Sequence, residues 1–305
     1  MRSLLIFTSL VLLAPPTAQA REAPLEIAIT IDDLPVHAPY PPGVTPDQVS
    51  KQMLAAFTAA GVPAYGVVNA VRLQEQPESR AVLEGWRAAG MRLGSHGWSH
   101  QQLRDIRIDQ FEQELVKNEP VLQEVGRGTD WHWFRYPYLD EGKDSAQRAA
   151  ARSILSKHGY KVAAVTMGFG DWQWTTPYAR CVAANDTASI RELERMYLAA
   201  AKESIAVSRG TAQKLYGRDI PYVLLMHVSA MSSRMMPQVI KLYRDAGFRF
   251  VTLMDAERDR AYRGYIDLKR PAPPSPQELA EQEHLQLPHG TDFSVTLNGM
   301  CTADH

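Results

Sequence analysis

The stretch Leu25–Leu34, LEIAITIDDL, constrains this chain more than any other. β-Branched apolar residues at alternate positions, Ile27, Ile29 and Ile31, describe a buried strand. That strand runs straight into two adjacent carboxylates, Asp32 and Asp33. Successive strand residues point to opposite sides, so the two acids divide between two environments unless the chain bends there. Adjacent acids at the inner end of an apolar strand are costly unless a cation or hydrogen-bond donors receive them. The plainer alternative is a strand that ends in a polar turn, since Asp commonly opens turns.

The first twenty residues read as an export signal. Arg2 supplies a positive start, Leu4 to Ala14 an apolar core, and Ala18-Gln19-Ala20 a small-x-small cleavage pattern. The apolar run is short and broken by proline, too little for a membrane span, and no cysteine follows the cleavage site to take a lipid. The mature chain is expected to start at Arg21 and to be periplasmic or secreted. Its charges nearly balance, 33 basic against 34 acidic residues over the whole chain, which gives no sign of the strongly basic face that nucleic acid requires. Cys181 and Cys301 are the only cysteines. An oxidising compartment permits a disulfide between them; a buried free thiol and a free tail thiol are the alternative.

From residue 24 to 256 strand-like and helix-like patterns alternate without repeats. Thr45, Pro46 and Gln48 form a capping-box start for a helix that runs to Ala60 and stops at Gly61. Apolar strands are expected at Val62–Val71, Met91–Ser95, Tyr160–Thr166, Pro221–Val228 and Phe248–Met254, with an aromatic extended stretch at Trp131–Pro137. Helices are expected at Ser79–Ala89, Asp109–Val125, Asp144–His158, Ser189–Leu215 with a break near Gly210, and Pro237–Ala246. This rhythm implies an α/β fold of parallel strands with helices outside, a barrel or a doubly wound sheet. Residues 257–305 change character. A Pro-rich linker (KRPAPPSP) and a short polar helix near Gln277–Glu283 suggest a tail across the barrel, or a partly disordered one.

Every unusual polar cluster follows a strand: Asp32 and Asp33, His96 to His100, Arg135, Asp171 and His227. In parallel α/β folds the strand C-terminal ends converge on one face, which carries the site. His96 and His100 are four apart, and on one helical turn they share a side. Two imidazoles and a carboxylate make a metal set with open positions; a pair of surface or core histidines is the alternative.

These clusters, in this order, resemble the polysaccharide deacetylase family, also called the NodB-homology or carbohydrate esterase family 4 domain. The motif T-F-D-D-G is here Thr30-Ile31-Asp32-Asp33-Leu34, H-[ST]-x-x-H is His96-Gly97-Trp98-Ser99-His100, and R-x-P-[YFW] is Arg135-Tyr136-Pro137-Tyr138. D-x-x-D-W is half kept as Gly168-Phe169-Gly170-Asp171-Trp172, and L-x-H is Leu225-Met226-His227. The resemblance implies an irregular (β/α)7-type barrel over about residues 21–256. It implies a hydrolase that removes acetyl groups from N-acetylated sugars, breaking a carbon–nitrogen bond outside peptides. It assigns a divalent metal, zinc foremost among transition metals, to Asp33, His96 and His100. Asp32 becomes the general base, Arg135 its orienting partner, His227 the general acid and Asp171 the partner of His227. Tyr138, Trp172 and Leu225 become the wall that receives the acyl methyl, with a backbone N–H near Tyr138 at the oxyanion.

Three departures qualify the match. Leu34-Pro35 replaces the glycine after the acids, so the first loop takes another course and substrate preference is expected to begin at Leu34. Gly97 replaces Ser or Thr, and Gly168 replaces the first Asp of the fourth motif. A non-sugar amide or an O-acetyl ester is therefore the alternative substrate, and a carbohydrate-binding protein with a dead barrel the alternative class. His37, in the Pro-rich loop beside the site, is within reach of a substrate but is read as having no specific role, and His132, in an aromatic strand, is read as packing. Trp131, Trp133, Trp174 and Tyr40 are read as core residues or as a sugar groove.

Overall fold

The computed structural model describes residues 24–302; the expected export signal lies outside them. Seven strands make one sheet: β1 (Leu25–Leu34), β2 (Ala64–Val68), β3 (Arg92–Ser95), β4 (Trp133–Phe134), β5 (Lys161–Val162), β6 (Tyr222–His227) and β7 (Phe248–Phe250). They follow the order β5-β4-β3-β2-β1-β6, and β7 pairs with the start of β1, where Leu25 lies opposite Phe248. Every pairing is parallel, with helices in the connections, as the alternating pattern requires. The fold is a curled parallel sheet of the barrel kind.

The opening strand is central because it is apolar on both sides. Ile27, Ile29 and Ile31 are at most 1% exposed and share one core with Val67, Leu93, Leu224 and Met226. A strand buried on both faces is normal for a parallel sheet covered by helices. Burying each such side chain contributes roughly 1.5–3 kcal/mol.

The sheet closes through a seam beyond β5. The Ala163 amide still donates to Phe134 at 2.8 Å, but those of Thr166 and Met167 donate across to Val223 at 3.1 and 3.0 Å. Between them the ladder is interrupted, and side chains take its place. Glu257 accepts from the Ala164 amide at 2.7 Å, and Arg135 donates to the Ala163 carbonyl at 2.7 Å. Buried backbone groups left without partners would cost as much as lost hydrogen bonds, so these two side chains complete the barrel.

Helix Pro46–Ala60 carries the expected capping box, with Gly61 in the left-handed region at its end. Other boundaries move. The helix expected to start at Pro237 runs from Ala230 to Asp245, capped by the Ser229 hydroxyl. Met231, Met235, Met236 and Val239 form its buried stripe, so packing overrides the proline as a starting signal. Helix Thr187–Tyr216 is continuous through Gly210, which lies against Pro288 of the tail. Helix Thr175–Ala183 is new; its polar Thr-Thr-Pro start hides the short apolar face.

The tail packs against the barrel over the described residues, which run to 302. Helix Pro276–Gln282 is capped by Ser275 and Glu278, and Glu278 pairs with Arg148 at 3.0 Å. Cys181 and Cys301 form a disulfide, and the Arg180 guanidinium donates to the carbonyls of Leu297, Asn298 and Met300. No helix among the described residues is long and apolar enough to cross a membrane.

Candidate active site

The two acids reach one cavity because β1 breaks its own alternation. Its register against β2 shifts between Ile31 and Leu34, and Asp33 takes φ 66°. A non-glycine residue with positive φ is held there only when its surroundings over-determine it. The bend, not strand alternation, separates the partners of Asp32 and Asp33 while keeping both at the same opening. That opening is a cavity of about 540 Å³, to which Asp32, Asp33, His96, His100, Tyr138, Trp172, Leu225 and His227 all contribute.

His96 and His100 do not sit on a helical turn. The segment after β3 is a loop in which Gly97 and His100 have φ 74° and 59°. A Ser or Thr at position 97 would be strained there, which accounts for the glycine. The loop still brings both rings together, 4.8 Å between centroids. Asp33 Oδ1 lies 3.3 Å from His100 Nε2 and 3.5 Å from His96 Nε2, is buried, and has no hydrogen-bond partner. An orphaned carboxylate oxygen facing two imidazole nitrogens suits a divalent cation, zinc included. His96 Nδ1 donates to the Arg135 carbonyl at 2.8 Å, which leaves Nε2 to ligate. Burial pushes His100 down to about 4, against the pull of Asp33, so its ring is neutral near pH 7. Burial pushes Asp33 up, but the hydrogen bond to His37 and the nearby imidazoles of His96 and His227 outweigh it and hold the carboxyl well below its usual range.

Asp32 lies in a different setting. The fully buried Arg135 guanidinium reaches its two oxygens at 3.1 and 3.3 Å, and also donates to Thr30 Oγ1 at 3.0 Å. With the seam carbonyl of Ala163, three residues on two segments fix this guanidinium in one orientation.

Across the cavity, buried Asp171 holds His227 from two directions: Oδ1 is 2.8 Å from Nδ1, and Oδ2 accepts the backbone N–H at 2.8 Å. Ser232 donates to the same Oδ2 at 2.7 Å. Burial pushes His227 down, but the charge and hydrogen bond of Asp171, with the charges of Asp33 and Asp32, raise it to about 9. Its ring is therefore an imidazolium near neutral pH.

The rim is aromatic. Tyr138 and Trp172 are 63% and 54% exposed, unlike most large apolar side chains here, and the Tyr138 ring lies tilted 4.5 Å from that of His100. Leu225 is partly buried and lines the same cavity. Trp133 and Trp174 are core residues, and Trp131 stacks on His132 at 3.8 Å, away from the opening. Leu34 does not face the site. It is fully buried over Gly66 at the start of the redirected loop and does not line the cavity.

The redirected loop supplies the residue that sequence reasoning passed over. His37 lines the cavity, its Nδ1 2.6 Å from Asp33 Oδ2 and its ring 4.8 Å from that of His227. The four-residue spacing between Asp33 and His37 was the available signal, obscured by the intervening Leu-Pro.

The model of the family described as polysaccharide deacetylase matches residues 20–163. No curated protein matches the chain. Solved structures with the same fold include the chitin deacetylase of Colletotrichum lindemuthianum, at 18% identity and TM-score 0.54, covering 80% of this chain and 92% of that one. A family 4 carbohydrate esterase from Streptomyces lividans, in complex with acetate, is 17% identical with TM-score 0.50, covering 77% and 97%. A CE4 family pseudoenzyme from Bacillus anthracis is 13% identical with TM-score 0.55, covering 76% and 65%.

Proposed function

We propose that this chain, whose motifs, fold and family-model match all resemble the polysaccharide deacetylases, is an exported, metal-dependent deacetylase of N-acetylated sugars. One observation carries the reading. An Arg-held carboxylate and an Asp-held imidazolium line one cavity together with an Asp-His-His group.

Asp33, His96 and His100 would hold the ion, which supplies Lewis acidity toward a water and an amide carbonyl. The remaining work belongs to the chain. Asp32, oriented by Arg135, takes a proton from the attacking water. His227 is charged near neutral pH and gives its proton to the departing nitrogen, while Asp171 holds the ring and balances the charge. Tyr138 and Trp172 offer two exposed aromatic faces at the mouth, suited to the apolar face of a sugar ring, and Leu225 a small apolar wall for the acyl methyl.

A dead barrel is the weaker reading, because base, acid and ligand set are present together. Purified full-length protein loaded with zinc and offered chitin oligomers, peptidoglycan fragments and small acetyl esters tests the proposal. Acetate release from the N-acetylated sugars is expected. Release from the esters alone would move the substrate to the ester class. No bound metal and no release from any of them would overturn the function.

A further inference from the structure

We infer that His37 is a positioning residue of the metal centre, fixing the Asp33 carboxylate so that Oδ1 alone faces His96 and His100. The inference rests on the metal reading above and adds a residue to it.

The two oxygens of Asp33 have different surroundings. Oδ2 is 2.6 Å from His37 Nδ1, a length typical of strong hydrogen bonds to ionised groups. Oδ1 has no hydrogen-bond partner and lies 3.3 and 3.5 Å from the Nε2 atoms of His100 and His96. A carboxylate can swap its oxygens by turning about its last side-chain bond. The contact to His37 opposes that turn, because a carboxylate only accepts and Nδ1–H must donate.

His37 is itself held. Its backbone N–H donates to the Tyr40 hydroxyl at 3.1 Å, and its ring packs beside that of His227. The site thus has two matched supports. The Arg135 carbonyl sets the ring of His96, and His37 sets the carboxylate of Asp33. Asp33, His37 and His227 are also close enough to be a ligand set of their own. That set is disfavoured because the Asp33 oxygen nearest His37 is taken up by the hydrogen bond, while the oxygen without a partner faces His96 and His100.

Outer partners of this kind typically change metal affinity ~10–100-fold when removed. The test is calorimetric titration of zinc into metal-free full-length protein, for wild type, His37→Phe and His37→Asn. Phe keeps a ring and loses the donor; Asn places an amide N–H near the position of Nδ1. We expect His37→Phe to bind zinc ~10–100-fold more weakly, and His37→Asn to recover most of the loss. Far-UV circular dichroism checks that each variant is folded. Wild-type affinity in folded His37→Phe would overturn the inference and leave the metal site standing. Equal weakening in folded His37→Asn and His37→Phe would also overturn it, since the hydrogen bond would then not be what matters. A wild-type protein that binds no zinc would overturn the metal reading and the inference together.

Discussion

The carbonyl oxygen of Arg135 accepts a 2.8 Å hydrogen bond from His96 Nδ1, while the guanidinium of the same residue holds Asp32 at 3.1 Å. One residue of the third motif therefore sets both a candidate ligand and the candidate base. Its side chain also donates to the seam carbonyl of Ala163, so the place where the sheet closes is tied to the site. Function and closure are coupled through a single buried cation.

Replacing Arg135 by Met keeps the volume and removes the charge. Asp32, 2% exposed, is then left buried without its cation. Breaking a buried pair by removing one partner costs about 3–5 kcal/mol, and the freed seam carbonyls add to that. Thermal unfolding should show a loss of this order at neutral pH, together with loss of acetate release. A variant as stable as wild type would mean that solvent reaches Asp32 and the seam.

Asp32→Asn separates base from ligand. The asparagine keeps the shape and cannot accept the proton, so turnover should fall by ~10²–10⁴-fold. Zinc affinity should stay near that of wild type, because Asp32 lies 3.7 Å from His96 Nε2 and is engaged by Arg135. Full activity in the variant would remove Asp32 from the base role.

The difference between Asp32 and Asp33 was only half legible in the sequence. The apolar run before them fixes a buried strand, and strand ends gather polar clusters on one face, so the order of motifs indicated the fold and the site. The bend at Asp33 has no signature in the residue types around it, since Asp rarely takes the positive φ found there. His37 was missed for the same reason. Leu34 looked like a substrate determinant and is a core residue packed over Gly66, while His37, three residues on, reaches back to Asp33. The Ala230 start of its helix was hidden because Pro237 looks like a helix start when packing is ignored.

The tail offers a test that does not touch the site. The disulfide closes a loop of 120 residues between Cys181 and Cys301, and Arg180 clamps the same segment by its carbonyls. Cys301→Ser should lower stability by about 2–5 kcal/mol with little change in turnover, since no described residue beyond His227 lines the Asp32–Asp33 cavity. A large fall in turnover in a still-folded variant would tie the tail to substrate binding.

Metal should stabilise the folded chain through mass action. Zinc at about 100 times its dissociation constant adds about 2.7 kcal/mol, read as a rise in the unfolding midpoint that a chelator reverses. In Asp33→Asn the orphaned oxygen loses its charge, and the rise should vanish. A midpoint that responds equally in Asp33→Asn would place the ion elsewhere.

The pH profile tests His227. Its pKa is raised from 6.5 to about 9, chiefly because the charge and hydrogen bond of Asp171 outweigh burial. A group whose pKa is raised by folding adds stability below its unfolded pKa and loses it as pH climbs through the folded one. The acid form needed for catalysis follows the same window, so kcat/KM should fall above about pH 9. Asp171→Asn removes the charge that opposes burial, and the falling limb should move toward acid. The His227–Asp171 pairing should also disappear from a proton spectrum of the Nδ1–H. If the limb stayed in place in Asp171→Asn while the protein remained folded, another group would be titrating and His227 would not be the acid.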